Sequence, residues 1–513
     1  MLTTRRQAIR AGLGAGTGLF LAACGAGARQ APTAQGAGEA PRPGGTLRIG
    51  ALGKPGAVTR DPHGTQVNES DYLIIALVYD ALTVPGAQPT VAPGLAVSWE
   101  SDDLRRWHFK IAENATFHDG RPVTSEDVVW SLRRLRSTPS GAARLPGVEA
   151  DAIKADGAHG VTLTGSYPNN ELPLLLRLTT FTLPKDTRDP AGAPGTGPFK
   201  LRSFQDGNAG LVRNDSWHGG KPLLDGIEVR IFQSAQAMTN ALLTGQIDLA
   251  SNAGPLAART AQGRPGVQVV RRRHDLAMPI VMRTAGGPFA DERVRLALRL
   301  AVDRQALVRQ ALSGYGVVAN DVLGTADPAY AKDLPQRTRD LTRARSLLTV
   351  TGFDLNATYD LCTTEDVPGL AESATLFAGQ VREAGVKVRV VKQDPAVFWD
   401  QTWLKAPLYT TYWGTNDSVV FFAGKTMLSG TGQNETGFDD PEFDRAYRRA
   451  VSAKDTAERT RLLGEVQRIQ YERSGYLLWG MADGIDLAAA HVRDLPTLPG
   501  YGRVRLERAW LAT

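Results

Sequence analysis

The side chains that most often carry out enzyme chemistry are scattered along this chain of 513 residues. No histidine pair has metal-binding helical spacing, and the sequence has no HExxH, paired CxxC or GxSxG motif. The histidines stand at positions 63, 108, 118, 159, 218, 274 and 491. His118-Asp119 precedes Gly120 and Pro122, which favours a solvated turn over a hydrolase site. The sequence therefore predicts a protein that is not an enzyme and that holds no metal or cofactor.

Two further segments imitate functional motifs. Ala423-Gly424-Lys425-Thr426 is similar to the end of a phosphate-binding loop. The first glycine of that loop would fall at Val419, and Phe421-Phe422 would crowd it, so we expect no nucleotide site. Cys362 lies in the strand-like segment 359–363, where a buried structural thiol is favoured over a nucleophile.

The N-terminal residues indicate export and lipid attachment. Arg5 and Arg6 resemble a twin-arginine export motif. The apolar run from residue 11 to residue 23 is 13 residues long, too short for a membrane span of about 20. Leu21-Ala22-Ala23-Cys24 resembles a lipobox, in which the cysteine is lipidated and becomes the new N-terminus. A soluble secreted protein whose cleavage site happens to end in cysteine is the alternative.

These features predict a signal peptide over residues 1–23 and a lipid on Cys24. Residues 24–43 are rich in glycine, alanine and proline, and we expect them to form a disordered tether. The predicted location is extracytoplasmic, on the outer face of the cell membrane. With Cys24 lipidated, Cys362 has no partner for an intrachain disulfide.

Composition and charge argue against nucleic-acid binding. The chain is 42% hydrophobic and 22% charged, as is usual for a globular protein. The formal charge of +6 falls to +3 if Arg5, Arg6 and Arg10 leave with the signal peptide. Nucleic-acid binding requires a concentrated basic face. The run Arg271–Arg273 is the one candidate, and we expect it to be a solvated strand end.

Strand and helix patterns mix along the chain without a repeat, which indicates an α/β protein of several lobes. Alternating strand patterns occupy 44–50, 107–111, 199–201, 227–232 and, at the end of the chain, 503–506. Capping residues predict helices that begin after Thr124 (with Asp127 three residues on), Asp291, Asp303 and Asp440. A further helix carries Leu462, Leu463, Val466 and Ile469.

Several ordered blocks carry a family resemblance. The most recognisable is 117–124, which continues through 126–129. Others are 44–50, Asp61-Pro62-His63, 78–82, 92–96, Ser98-Trp99-Glu100, 195–199, 212–215, 219–222 and 289–304. Together they resemble the extracytoplasmic solute-binding proteins of ABC importers, specifically family 5, the peptide/nickel type. The resemblance extends from about residue 46 to residue 512.

The resemblance implies a periplasmic-binding-protein-like α/β fold of class II, with two lobes joined by a hinge and an inserted extra domain. Lobe I would comprise 46–85, 181–275 and 481–513. The insert would run over 86–180 and lobe II over 276–480. A solute would be buried between the lobes by hinge closure, and the closed form of this monomer would dock on the subunits of an ABC permease.

The segment 409–417 is the best candidate for the cleft. In peptide-binding relatives, a tryptophan here is followed three residues later by an aspartate that pairs with the ligand's α-amino group. Trp413 matches, but the third position is Asn416, and Asp417 comes one place later. An amide supplies no charge to an ammonium, so either Asp417 replaces the aspartate or the ligand is not a standard free-amino peptide.

Other residues could line the same cleft, with core packing as the alternative for each aromatic one. They are Tyr412, Trp403, Trp399 and Phe421, and Arg283 falls where relatives place a polar residue. The predicted function is delivery of a peptide or peptide-like solute to an ABC importer. A ligand-sensing receptor of the same fold and a tethered hydrolase are the alternatives. The sequence leaves the ligand open among a peptide, a metal chelate, an opine and a sugar.

Overall fold

The computed structural model describes residues 39–54, 56, 58–64, 69–86, 90–138, 141–325, 327–414, 418–498 and 500–512. Arg5, Arg6, Cys24 and most of the predicted tether lie outside the described residues. The architecture below is that of the unit Pro41–Thr513. Within its described part, no helix combines the length and apolar character needed to cross a membrane.

The described strands follow one another in the chain as β1 (Thr46–Leu52), β2 (Thr83–Pro85), β3 (Val91–Pro93), β4 (Ala96–Glu100), β5 (Arg106–Ile111), β6 (Val148–Asp156), β7 (Gly160–Gly165), β8 (Phe199–Gln205), β9 (Asn208–Arg213), β10 (Gly226–Phe232), β11 (Leu249–Ala250), β12 (Val267–Met282), β13 (Gly316–Val318), β14 (Thr358–Thr363), β15 (Lys387–Lys392), β16 (Leu408–Thr410), β17 (Trp413–Gly414), β18 (Tyr476–Ala489), β19 (Val492–Arg493) and β20 (Trp510–Leu511).

The described α-helices are α1 (Glu69–Val78), α2 (Ser125–Arg136), α3 (Gly141–Arg144), α4 (Leu172–Leu175), α5 (Ala235–Leu243), α6 (Gly254–Ala261), α7 (Glu292–Ala301), α8 (Arg304–Ala311), α9 (Leu341–Val350), α10 (Leu370–Arg382), α11 (Pro395–Val397), α12 (Val419–Phe422), α13 (Pro441–Ser452) and α14 (Thr456–Arg473). Phe398–Thr402 and Ala423–Met427 are π-helical, and Gly500–Val504 is a 3₁₀ turn.

A wide mixed sheet organises the molecule. Among the described residues it has twelve strands in the order β15-β14-β16-β12-β18-β11-β1-β10-β9-β8, with β13 beside β18 and β17 beside β12. Strands β12 and β18 are long, antiparallel neighbours at its centre. Strand β18 is buried over nearly its whole length, because helices cover both faces, and its sequence is correspondingly apolar. These two strands run through both halves of the sheet.

Helices cover each half of the wide sheet with a separate apolar cluster. Helix α1 packs with β1 and β10 in one half, and helices α7 to α10 pack on the other half. Helices α12 to α14 cover the opposite face of that second half. In the residues described between 96 and 165, β4, β5, β7 and β6 form a smaller antiparallel sheet, which packs against α2.

Local capping explains where several helices begin. The Asp127 carboxylate accepts hydrogen bonds from the Thr124 backbone N–H (2.9 Å) and hydroxyl (2.7 Å) at the start of α2. Asp291 accepts from the Arg293 N–H (2.8 Å), and Asp303 accepts from the Ala306 N–H (2.9 Å). Asp440 does the same for α13. The structure therefore confirms all four predicted helix starts, and α14 confirms the helix carrying Leu462.

The prediction for the run Arg271–Arg273 was wrong for its central residue. Arg272 is fully buried and donates hydrogen bonds to Asp486 and to Asp275 (3.2 Å). The physical reason is that the neighbouring strand β18 brings buried Asp486 into the sheet, and a buried carboxylate requires a cation. Gly484 allows this packing, because a Cβ there would lie 2.0 Å from a carboxylate oxygen of Asp275.

The predicted C-terminal strand was also wrong. The 3₁₀ turn Gly500–Val504 overlaps the predicted strand 503–506, and the last strand is β20. The Arg503 guanidinium pairs with the partly buried Glu69 carboxylate at 2.6 Å, which fixes a compact turn rather than an extended strand. The alternation of apolar side chains around Val504 and Leu506 reflects contact with the cluster around α1.

Candidate ligand-binding site

The segment that carries Trp413 lies on the central strands of the wide sheet. Strand β16 pairs with β12 on one side and with β14 on the other. The chain then leaves the sheet at Thr411 and Tyr412 and returns as β17, where Trp413 pairs with Ala277. Successive residues of this short excursion therefore face different layers, which brings several aromatic rings together above β12.

A buried carboxylate organises these rings. Glu435 has no exposed surface, and it accepts hydrogen bonds from Trp413 Nε1 (2.7 Å), Thr411 Oγ1 (2.9 Å), the Tyr476 hydroxyl (2.9 Å) and Trp403 Nε1. Burial raises the pKa of the Glu435 carboxyl, and the four donors oppose that shift. The two indole edges are consequently fixed in orientation, while the ring faces remain available for packing.

Sequence reasoning missed Glu435. It stands in a polar loop, 431–437, with no periodic pattern and no motif around it. Its partners Thr411, directly after β16, and Tyr476, the first residue of β18, are distant in sequence. Nothing in the local sequence distinguishes Glu435 from an exposed loop glutamate.

A second aromatic group lies beside the first. The Trp399 ring packs edge-to-face on Tyr412, with centroids 5.7 Å apart, and on Trp403, with centroids 6.0 Å apart. Trp399 Nε1 donates to Asp366 at 2.8 Å, and burial raises the pKa of the Asp366 carboxyl. These three rings are half-buried, so part of each ring face is open to contact with a solute.

Lys425 lies against the Trp413 group. Its ammonium nitrogen is 5.1 Å from the Trp413 ring centroid and 4.7 Å from that of Phe421. Burial, together with the nearby Arg144 guanidinium, lowers the pKa of Lys425 to about 7, against the opposing effect of Glu435. Lys425 belongs to the π-helix Ala423–Met427, which follows α12 directly and does not form a strand-to-helix phosphate loop.

The predicted site residues do not all come together. Trp413 and Trp403 share the Glu435 carboxylate, Trp403 and Tyr412 both pack on Trp399, and Phe421 contacts the same lysine as Trp413. Trp413 is 8% exposed and shares an apolar cluster with Phe421, so both rings also pack in the core.

Arg283 directly follows the end of β12, six positions after Ala277, the partner of Trp413. Its guanidinium donates to the Leu404 carbonyl. Asn416 and Asp417 lie outside the described residues, so their predicted roles remain predictions. In the part of the chain that is described, no cluster of three or more histidine, cysteine, aspartate or glutamate side chains could hold a metal ion.

Comparison with known proteins identifies the family. The model of "Bacterial extracellular solute-binding proteins, family 5 Middle" matches residues 90–435. The chain belongs to this family. It is a solute-binding protein of the peptide/nickel type, an extracytoplasmic component of ABC transport, and not an enzyme. The predictions of family, of fold class and of a non-enzymatic role are thereby confirmed.

The individual relatives have low sequence identity to this chain, but each alignment covers most of both proteins. "Probable di/tripeptide-binding protein 5" of Pseudomonas aeruginosa is 24% identical over 457 residues, 82% of this chain and 87% of the relative. The structure of AgaA from Agrobacterium strain R10 in complex with agropinic acid has a TM-score of 0.81 at 22% identity, covering 91% of this chain and 99% of AgaA. Bacillus subtilis AppA in complex with a nonapeptide has a TM-score of 0.78 at 20% identity, covering 92% and 100%. These two structural likenesses show the periplasmic-binding-protein fold.

Proposed function

We propose that this protein is held on the outer face of the cell membrane by a lipid on Cys24, and that it delivers a peptide or peptide-like solute to an ABC importer. The observation that carries the ligand assignment is the pair of aromatic groups around Trp413 and Trp399. Carboxylates fix the indole edges of Trp403 and Trp399, and the half-buried rings of Trp399, Trp403 and Tyr412 offer faces that fit the flat amide groups and apolar side chains of a peptide.

The relatives are consistent with this ligand class. The Pseudomonas relative is named for di- and tripeptides, and the AppA structure contains a nonapeptide. The AgaA structure contains agropinic acid, so an opine is the second ligand class to be tested.

The lobe boundaries given above belong to the same proposal. The smaller sheet and α2 have their own apolar cluster, which supports an insert over 86–180. The contacts between Glu171 and Arg459 (2.7 Å) and between the Asn170 N–H and the Val451 carbonyl (2.7 Å) join that segment to the proposed lobe II. A closed arrangement of the proposed lobes would place the aromatic groups near this junction.

Native mass spectrometry of the protein purified from its host tests the ligand class. We expect a bound species whose mass and fragmentation identify a peptide or a peptide derivative. An opine or a sugar in the same preparation would contradict the peptide assignment.

Cys24→Ser tests the anchor. The variant should move from the membrane fraction to the soluble fraction, because its only lipid attachment is lost. The exposed-strand variant Thr358→Ser serves as a control and should remain with the membrane. Equal membrane association of Cys24→Ser and the control would contradict lipidation.

Calorimetric titration with the co-purified solute tests the predicted site segment. If Asp417 pairs with a cation on the solute, Asp417→Asn should weaken binding by about 2–5 kcal/mol. Trp413→Ala should weaken binding whatever the charge of the solute, because contact area is lost. Full affinity in both variants would place the binding site elsewhere.

A further inference from the structure

Lys425 is a cation whose ammonium group lacks an anionic partner. In the described residues, its nitrogen makes no hydrogen bond or ion pair, and its contacts are the rings of Trp413 and Phe421. A partly buried ammonium without a hydrogen-bond acceptor is costly, because the aromatic rings replace only a small part of its hydration. Such a group is expected to have a partner in some state of the protein.

Among the described residues, Lys425 has one cation and one carboxylate in its surroundings. The π-helix Ala423–Met427 packs against α3, and Arg144 of α3 lies close enough to lower the pKa of Lys425. The described carboxylate that acts on Lys425, Glu435, is already the acceptor of four hydrogen bonds. Lys425 therefore favours an additional negative charge at this point.

The position of Lys425 connects it to the solute. Trp413, whose face it covers, belongs to the aromatic group described above. Helix α3 comes from the proposed insert and the π-helix from the proposed lobe II, so the ammonium lies where two segments distant in sequence meet. A solute enclosed by these two segments would lie beside Lys425.

We propose that Lys425 binds an anionic oxygen group of the solute, a carboxylate or a phosphate, at the junction of α3 and the π-helix Ala423–Met427. This inference rests on the proposed function, because it assigns a chemical group to the same solute. The ammonium donates charge-assisted hydrogen bonds to the anionic oxygens, and the surrounding rings exclude water and so strengthen the attraction. The solute class is accordingly a peptide or peptide-like acid rather than its neutral amide.

Two libraries of tripeptides test the inference, one with free C-terminal carboxylates and one with C-terminal amides. Each library is incubated with the wild-type protein, and the retained peptides are identified by mass spectrometry. The wild type should retain acids in preference to the matching amides. Lys425→Met should lower the affinity for retained acids by about 30-fold or more and abolish the preference. Lys387→Met, which removes an exposed lysine from β15, is the matched control and should behave as the wild type.

A second measurement separates this inference from the peptide assignment. Lysine side chains are labelled by reductive ¹³C-methylation, and the Lys425 resonance, assigned by its absence in Lys425→Met, is followed during titration with acetate and with inorganic phosphate. We expect a saturable shift with one of the two anions, which identifies the preferred oxygen group.

The outcomes are distinct. Retention of amides and acids alike by the wild type, or an unchanged preference in Lys425→Met, would overturn the anion site. If neither library is retained, the peptide assignment fails and the titration alone decides the anion site. A Lys425 resonance that is unmoved by both anions would then overturn it.

Discussion

Glu435 fixes the orientation of two indole rings, because its two oxygens accept from Trp403 and Trp413 as well as from two hydroxyl groups. A hydroxyl can rotate and become an acceptor, whereas an indole N–H can only donate. An amide at this position would therefore leave at least one buried indole N–H without an acceptor.

Glu435→Gln should consequently lower the free energy of unfolding by about 1–3 kcal/mol, the cost of one unsatisfied buried donor. Urea unfolding followed by tryptophan fluorescence measures this change. Glu365→Gln removes an exposed carboxylate that pairs with Lys392, and it should cost at most ~0.5 kcal/mol. Equal stability of the two variants would show that the hydrogen bonds to Glu435 are not structural.

Lys425 should make stability depend on pH. Its pKa is lowered to about 7 by burial and then by Arg144, whereas the unfolded side chain titrates near 10.5. Between these values the unfolded chain binds a proton that the folded chain lacks, so the free energy of unfolding rises with pH over this range. Below pH 7 the folded protein bears the full cost of the buried charge. Among the described residues, the other charged group that acts on Lys425 is Glu435, and the neighbouring Tyr447 has a pKa raised well above 10.

Lys425→Met should therefore be more stable than the wild type at pH 6, by about 1–3 kcal/mol after allowance for partial exposure. The difference should shrink as the pH rises from 7 to 10. Urea unfolding at pH 6, 8 and 10 tests this, with Lys387→Met as the control that should show no such trend. A constant difference between Lys425→Met and the wild type would contradict the lowered pKa.

At the scale of elements, the segment before α4 is tied to the ends of α13 and α14. The Glu171 carboxylate pairs with Arg459 at 2.7 Å, and its side chain is 12% exposed. The Ser452 hydroxyl donates to the Pro168 carbonyl at 2.8 Å beside this pair. Burial raises the pKa of Glu171, so the pair lies in a poorly solvated position. Removing the charge of one partner should therefore destabilise this contact.

Glu171→Gln should therefore favour an open arrangement of the proposed lobes and weaken binding of the co-purified solute by about 3- to 30-fold. Solution scattering and calorimetric titration measure the two effects. Glu149→Gln is the matched control, because Glu149 pairs with Arg136 within the smaller sheet and α2 and does not cross the junction. Opening in the control but not in Glu171→Gln would contradict this role.

The helix starts illustrate what the sequence predicts well at this scale. Asp291 and Asp440 cap their helices through contacts two or three residues away, so their roles are visible in the local sequence. Glu435 and Lys425 acquire their environments from strands and helices that are distant in the chain. Local sequence patterns cannot predict those contacts. Arg272 was misjudged for the same reason, because its partner Asp486 lies 214 residues away. The family resemblance supplied the fold class, which the local patterns alone did not.

At the scale of the whole molecule, solute binding should favour the closed form. Solute-free protein, prepared by unfolding and refolding, should show a smaller radius of gyration once the co-purified solute is returned. At a hundredfold excess over Kd, the bound solute should add about 2.7 kcal/mol to the free energy of unfolding. Identical scattering with and without saturating solute would argue against the two-lobe closure mechanism.

The central pair of strands, β12 and β18, also bears on the order in which the chain can fold during synthesis. About 200 residues separate the end of β12 from the start of β18, a high sequence separation for the most extensive pairing in the protein. At 5–20 residues per second, a ribosome needs about 10–40 s to make the intervening chain. Throughout that interval β12 lacks the neighbour that buries its apolar side chains. Neither half of the wide sheet is therefore an independent folding unit, and the nascent chain depends on its last strands to complete both.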